Sequence, residues 1–106
     1  MGKSVYRNGT VMSGDYAGKG VYIFSDAGVS ILSNDENGKI IINSLFPTRF
    51  SILRKLSSHS VLRHKIVSQG IGSYDIAVYF KDGKKSLVRF YTDFAYQEFE
   101  RAVFQL

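Results

Sequence analysis

Two histidines, a run of hydroxyls and a pair of glycines are the residues of this chain whose types and spacing come nearest to chemistry. His59 and His64 lie five positions apart. Along a strand that spacing puts the two imidazoles on opposite faces, and no third ligand lies near in sequence, so a metal centre is not expected. Ser57-Ser58-His59-Ser60 sets hydroxyls beside an imidazole. A nucleophile needs a base oriented by a third group, which adjacency in sequence does not supply, so polar turn residues are expected instead. Gly70-Ile71-Gly72 has the spacing of the start of a phosphate-binding glycine loop. Such loops work by opening into a helix N-terminus, whereas Ser73-Tyr74 lead into a strand-like run, so this too is expected to be a turn. Paired acids suited to general acid and base work are missing, because the acidic residues are few and scattered. The chain has no cysteine, which removes thiolate nucleophiles, thiolate-ligated zinc and a disulfide framework. The expectation is a protein that is not an enzyme, with no catalytic residue, metal, cofactor or small-molecule substrate.

Charge carries more information than these candidates. Residues 1–47 hold four basic and four acidic side chains, residues 48–92 hold nine basic against two acidic, and residues 93–106 hold one basic against three acidic. The net charge of +5 is therefore confined to the middle segment, which alone carries +7. A concentrated basic surface attracts phosphates or an acidic protein and raises the rate of encounter through its long-range field. The same lysines and arginines, spread over exposed strands, would also serve to block edge-to-edge pairing.

The elements that must position these residues are mainly strands. At 106 residues the chain is long enough for one domain, residues 1–106, with a real core. The composition, with 8 Phe, 7 Tyr and no Trp, together with β-branched runs cut by Gly, Asn, Asp and Ser, suits a β-rich fold. Residues 74–80 and 86–92 alternate with period two around Asp82-Gly83, the signature of a hairpin with a tight turn. Ala95, Phe99, Ala102, Val103 and Leu106 then fall on one helical face over 93–106, with Asp93 placed as N-cap. Residues 20–25 and 29–33 read as an earlier hairpin about Asp26-Ala27-Gly28, and 39–43 as a strand after a turn-rich segment. Between 47 and 69 the pattern suits either strands or a short helix, and strands are favoured, most firmly over 61–68. Residues 1–18, rich in glycine, read as a frayed lead-in or an edge element anchored by Val5 and Val11. The expected fold is mainly β within the α+β class: a bent antiparallel sheet or partly open barrel of six or seven strands capped by one C-terminal helix.

This order of elements resembles the pleckstrin-homology-like superfold, with 20–33 as a first hairpin, 75–92 as the final one and 93–106 as the capping helix. The familiar Trp of that helix in eukaryotic members has no counterpart, its place falling to Phe99 or Phe104. The resemblance implies a scaffold that binds phosphoinositides, peptides or other proteins rather than an enzyme.

The expected binding surface is basic and built from Arg54, Lys55, Lys81, Lys84, Lys85 and Arg89, exposed around the Asp82-Gly83 tip. Its expected partner is an acidic protein. Nucleic acid and an anionic membrane surface are the alternatives. Only Lys19 lies at the first hairpin, where the resemblance would place an inositide-binding cluster. Residues 81–91 do interleave bases with aromatics as single-stranded nucleic acid would want, yet Phe90 and Tyr91 alternate, so one of the two belongs in the core. Should the basic surface prove merely solvated, Tyr16, Tyr22 and Phe46 are the exposed aromatics expected to take over. No window approaches the roughly 18 to 20 apolar residues of a membrane span, and no apolar signal-peptide core stands near Met1, so a cytoplasmic protein is expected. These patterns leave the oligomeric state open.

Overall fold

A computed structural model describes residues 2–35, 38–43 and 52–104 of the chain. In order along the chain come β1 (Gly2–Tyr6), β2 (Gly9–Gly14), β3 (Gly20–Phe24), β4 (Val29–Ser33), β5 (Lys39–Asn43), β6 (Ile52–Leu56), β7 (Val61–Gly70), β8 (Ser73–Phe80), β9 (Lys85–Phe90) and α1 (Asp93–Phe104). Seven strands form one antiparallel sheet in the order β6-β4-β3-β2-β9-β8-β7, and β1 pairs with β5 in a separate ribbon. The sheet curls into a half-barrel capped by α1. The expected class, strand number and capping helix are all present, and the strand alternative for the segment before residue 69 holds over β6 and β7. The ribbon adds two strands beyond the curled sheet.

The inner face of the half-barrel is the main core. Alternation in β8 sends Ile76, Val78 and Phe80 inward, where they meet Val88 and Phe90 of β9, Val11 of β2, Val21, Leu32, Leu56 and Val61. From the other side α1 adds Ala95, Phe99, Ala102 and Val103, its i, i+4, i+7, i+8 stripe. Phe99 is fully buried, with its ring 4.8 Å from that of Phe90. The cap falls one residue before the expected one: the Thr92 hydroxyl accepts the backbone N–H of Ala95 at 3.0 Å, so Thr92 is the N-cap and Asp93 sits in the first turn, where its charge suits the helix dipole. Leu106, the last residue of the expected stripe, lies outside the described residues.

A second, smaller core lies on the opposite face. Tyr22 and Ile31, paired across β3 and β4, point away from the helix and are buried beneath Ile40 of β5, with Val5 and Phe24 alongside. The β1–β5 ribbon thus covers the outer face of β3 and β4. Tyr22 is consequently not an exposed aromatic; it is fully buried, and Tyr16 packs against the main core, while Phe46 lies outside the described residues.

Residues 1–18 keep their expected anchors, Val5 on the smaller core and Val11 in the main one, but not all of their expected place. They hold β1 and β2, and β2 is no edge: it sits between β3 and β9 near the middle of the sheet. One of the glycines that suggested fraying, Gly9, is there for space. A Cβ on Gly9 would stand 2.7 Å from the Arg89 carbonyl oxygen and 2.8 Å from the Phe90 ring, so only glycine admits that ring into the core. The β8–β9 turn is the tight one foreseen, with Gly83 at φ +92°.

Candidate partner-binding face

The ribbon packs over β3 and β4, and among the described residues no element lies over the outer face of β7, β8 and β9. Its residues follow from register. Arg63 of β7, Tyr79 of β8 and Lys85 of β9 stand side by side in one row across the sheet, and Lys65, Ala77, Leu87 and Ser13 of β2 in the next. A further row holds Asp75 and Arg89. This is the alternate face from Ile76, Val78 and Phe80, as the period of two requires.

Electrostatics divide the rows. Arg89 donates to Asp75 through Nε at 2.7 Å and Nη2 at 3.0 Å, a bidentate pair that holds the Asp75 carboxyl below the usual carboxylate range. Arg63, Lys65 and Lys85 have no carboxylate partner within ion-pair distance among the described residues. Two of them instead bracket an aromatic ring: the Arg63 guanidinium carbon lies 4.4 Å and the Lys85 ammonium 5.2 Å from the Tyr79 centroid. Beside Tyr79 and above the buried Ala77 lies a depression of about 360 Å³, lined by Lys65, Lys85, Tyr79, Leu87, Val67 and Ser13 among others.

The structure divides the six basic residues expected to form one surface. Lys85 belongs to the open face. Arg89 shares that face but is neutralised by Asp75. Arg54 is drawn in from β6, its guanidinium 4.2 Å from the Phe80 centroid and 2.5 Å from Asp82 Oδ2, a pairing that ties one end of the curled sheet to the β8–β9 turn and holds the exposed Asp82 carboxyl below its ordinary range. Lys81 donates its ammonium to the Ser58 carbonyl at 3.1 Å. Lys84 is exposed at the turn tip, and Lys55 is exposed on β6, the strand at the opposite end of the sheet order from β7. Arg63, Lys65 and Tyr79 complete the face instead. The alternation of β7 and β8 already put Arg63 with Lys65, and Tyr79 with Ala77; which strand faces which was the missing fact.

Elsewhere the chemistry-bearing residues are occupied structurally. Ser57 and Ser60 spend their hydroxyls on the β6–β7 turn, Ser60 donating to the Lys55 carbonyl at 2.8 Å and Ser57 accepting the His59 backbone N–H at 3.2 Å. His59 is exposed, whereas His64 points to the helix side, stacked 3.9 Å from Phe104 with Nε2 3.5 Å from Glu100. Among the described residues no three His, Asp or Glu side chains converge as a metal site would require. Gly70-Ile71-Gly72 is the β7–β8 turn, with Ile71 fully exposed. Among the ion-paired side chains of the described residues the most buried is Asp35, only 2 % exposed. Burial alone would raise its carboxyl, but hydrogen bonds from Arg7 and the Tyr22 hydroxyl outweigh that and hold it low. This triad fastens the β1–β2 connection and the chain after β4 onto β3.

No helix among the described residues is long and apolar enough to cross a membrane. Comparison of the chain with protein-family models, with curated proteins and with solved structures gives no significant match. The class it can be assigned to is therefore the one its geometry defines, a helix-capped, curled antiparallel half-barrel.

Proposed function

We propose that this chain is a non-enzymatic binding module of the pleckstrin-homology-like kind, which docks an acidic protein partner through the open outer face of β7, β8 and β9. The sheet order, with the last strand paired to β2 and the chain ending in a helix over the inner face, is consistent with that superfold. The observation that carries the function is the juxtaposition of Arg63, Lys65 and Lys85, without carboxylate partners among the described residues, on a part of the outer face away from the β1–β5 ribbon. Cations so placed steer an acidic partner and set its orientation more than they set affinity. A nucleic-acid surface needs ring faces on which bases stack, whereas the Tyr79 ring is already flanked by Arg63 and Lys85.

The test is nuclear magnetic resonance titration of the domain with oligoglutamate, random-sequence RNA and phosphatidylserine vesicles, each at low and moderate salt. Oligoglutamate should move the amides of residues 63–65, 77–79 and 85–87, and Lys65→Glu combined with Lys85→Glu should abolish the effect while leaving the fold intact. RNA or vesicles engaging those amides at lower concentration than oligoglutamate would overturn the assignment, and so would oligoglutamate leaving the face unmoved.

A further inference from the structure

The open face is not uniformly polar. Between its cations lies the depression over Ala77, whose lining includes Leu87 and Val67, with Val67 58 % exposed. Single exposed apolar residues are ordinary, but a hollow lined by several of them beside unpaired charges is a recognition feature. At its base is one small residue, Ala77, itself only 1 % exposed beneath its neighbours. Along β8 the outward side chains are Asp75, Ala77 and Tyr79, and across the row Ala77 stands between Lys65 and Leu87. Any larger side chain there would fill the hollow.

Resting on the proposed docking function, we infer that this face reads a spaced motif in an extended segment of its partner: an apolar side chain with an acidic residue two positions before it and another two positions after. The apolar side chain seats over Ala77, and the two carboxylates meet Lys65 and Lys85. Three observations converge on it. The lining contains cations and apolar groups but no acid, so it matches an anionic partner whose centre is apolar. At about 360 Å³ the hollow stands at the low end of small-molecule pockets, roughly 300 to 1,000 Å³. That is room for a single large side chain. The third observation is the spacing of the cations. Lys65 and Lys85 lie two strands apart and two residues apart along the strand direction, which at about 4.8 Å per strand and 3.4 Å per residue separates their Cα atoms by about 12 Å. In an extended segment the residues two before and two after a central one are about 13 Å apart and point to the same side. Arg63, one row along from Lys65 on the same strand face, widens the basic margin on the β7 side.

The experiment titrates the labelled domain at low salt with three peptides flanked by Gly-Ser. The first carries Glu-Ser-Leu-Ser-Glu, the second the same residues as Glu-Glu-Ser-Ser-Leu, and the third Glu-Ser-Ser-Ser-Glu. The spaced peptide should bind about tenfold more tightly than either control, the gain expected from seating one apolar side chain, and its methyl groups should show contacts to Ala77 and Leu87. In Ala77→Val, which fills the hollow, that advantage should disappear while all three peptides bind alike. If the three bind the wild-type face with equal affinity, the motif is refuted and the acidic docking stands. If none of them moves the face and oligoglutamate does not either, both fall. RNA that displaces the spaced peptide from these residues at lower concentration would also refute both.

Discussion

Removing the ring of Phe99 is the sharpest test of how the half-barrel is closed. Of the four α1 residues buried against the sheet, two are alanines and one is Val103, so Phe99 carries most of the helix's apolar volume. Its ring is fully buried and lies 4.8 Å from Phe90 and 5.9 Å from Phe104. Phe99→Ala should therefore cost about 3 to 5 kcal/mol, the lost transfer energy plus an unfilled cavity. Single domains have only about 5 to 15 kcal/mol of stability in total, so the variant should be partly unfolded well below the wild-type transition. Phe94 supplies the matched control. It is in the same helix and the same residue type but 70 % exposed, and Phe94→Ala should stay within about 0.5 kcal/mol. Urea denaturation followed by circular dichroism measures both. A Phe99→Ala loss under about 1 kcal/mol, or an equal loss at Phe94, would mean that α1 does not close the core as described.

Two further perturbations address the sheet. Gly9→Ala should destabilise the domain by about 1 to 3 kcal/mol, as overpacking does, because its Cβ would run into the Arg89 carbonyl and the Phe90 ring; a thermal melt unchanged from wild type would refute the close approach. Asp75→Asn should weaken the domain at neutral pH and reduce its acid sensitivity. The Arg89 guanidinium holds the Asp75 carboxyl below the usual carboxylate range in the fold, so its contribution is present above the unfolded value and lost as pH falls through the folded one. Stability measured from neutral pH down to acid should therefore decline less in the variant. An identical slope would show that the Arg89 pair contributes nothing.

Much of the fold was legible because period-two alternation and helical spacing are local. The strands after residue 20 and the helix follow from patterns within a dozen residues, and Gly83 in the β8–β9 turn follows from Asp82-Gly83 alone. The first twenty residues were not legible, for a physical reason: glycine in a sequence signals freedom, whereas at Gly9 it signals lack of room, and what fills that room is Phe90, eighty-one positions away. Tyr22 was misplaced for a related reason. On β3 its alternation marks it as facing away from Val21, and facing away from one core ordinarily means facing water. Here a ribbon of two strands, distant in sequence from each other, supplies a second core on that side.

The same ribbon decides where function can reside. Net charge located the basic excess between residues 48 and 92, but charge counted along a chain is blind to neutralisation across strands. Arg54 and Arg89 look as available as Lys65 in sequence, yet Asp82 and Asp75 hold them. What remains is set by register: β8 places Tyr79 against Arg63 on one side and Lys85 on the other, and Ala77 against Lys65. Had β1 and β5 covered this half of the outer face, the unpaired cations would need internal partners, because isolated buried charge is too costly to retain. They have none among the described residues. The part of the sheet that the ribbon covers is finished with tyrosine and isoleucine, and the part away from it among the described residues is finished with cations around an apolar hollow, so the two parts of one face differ in chemistry: the first suits the chain itself, and the second is where the proposed acidic partner would dock.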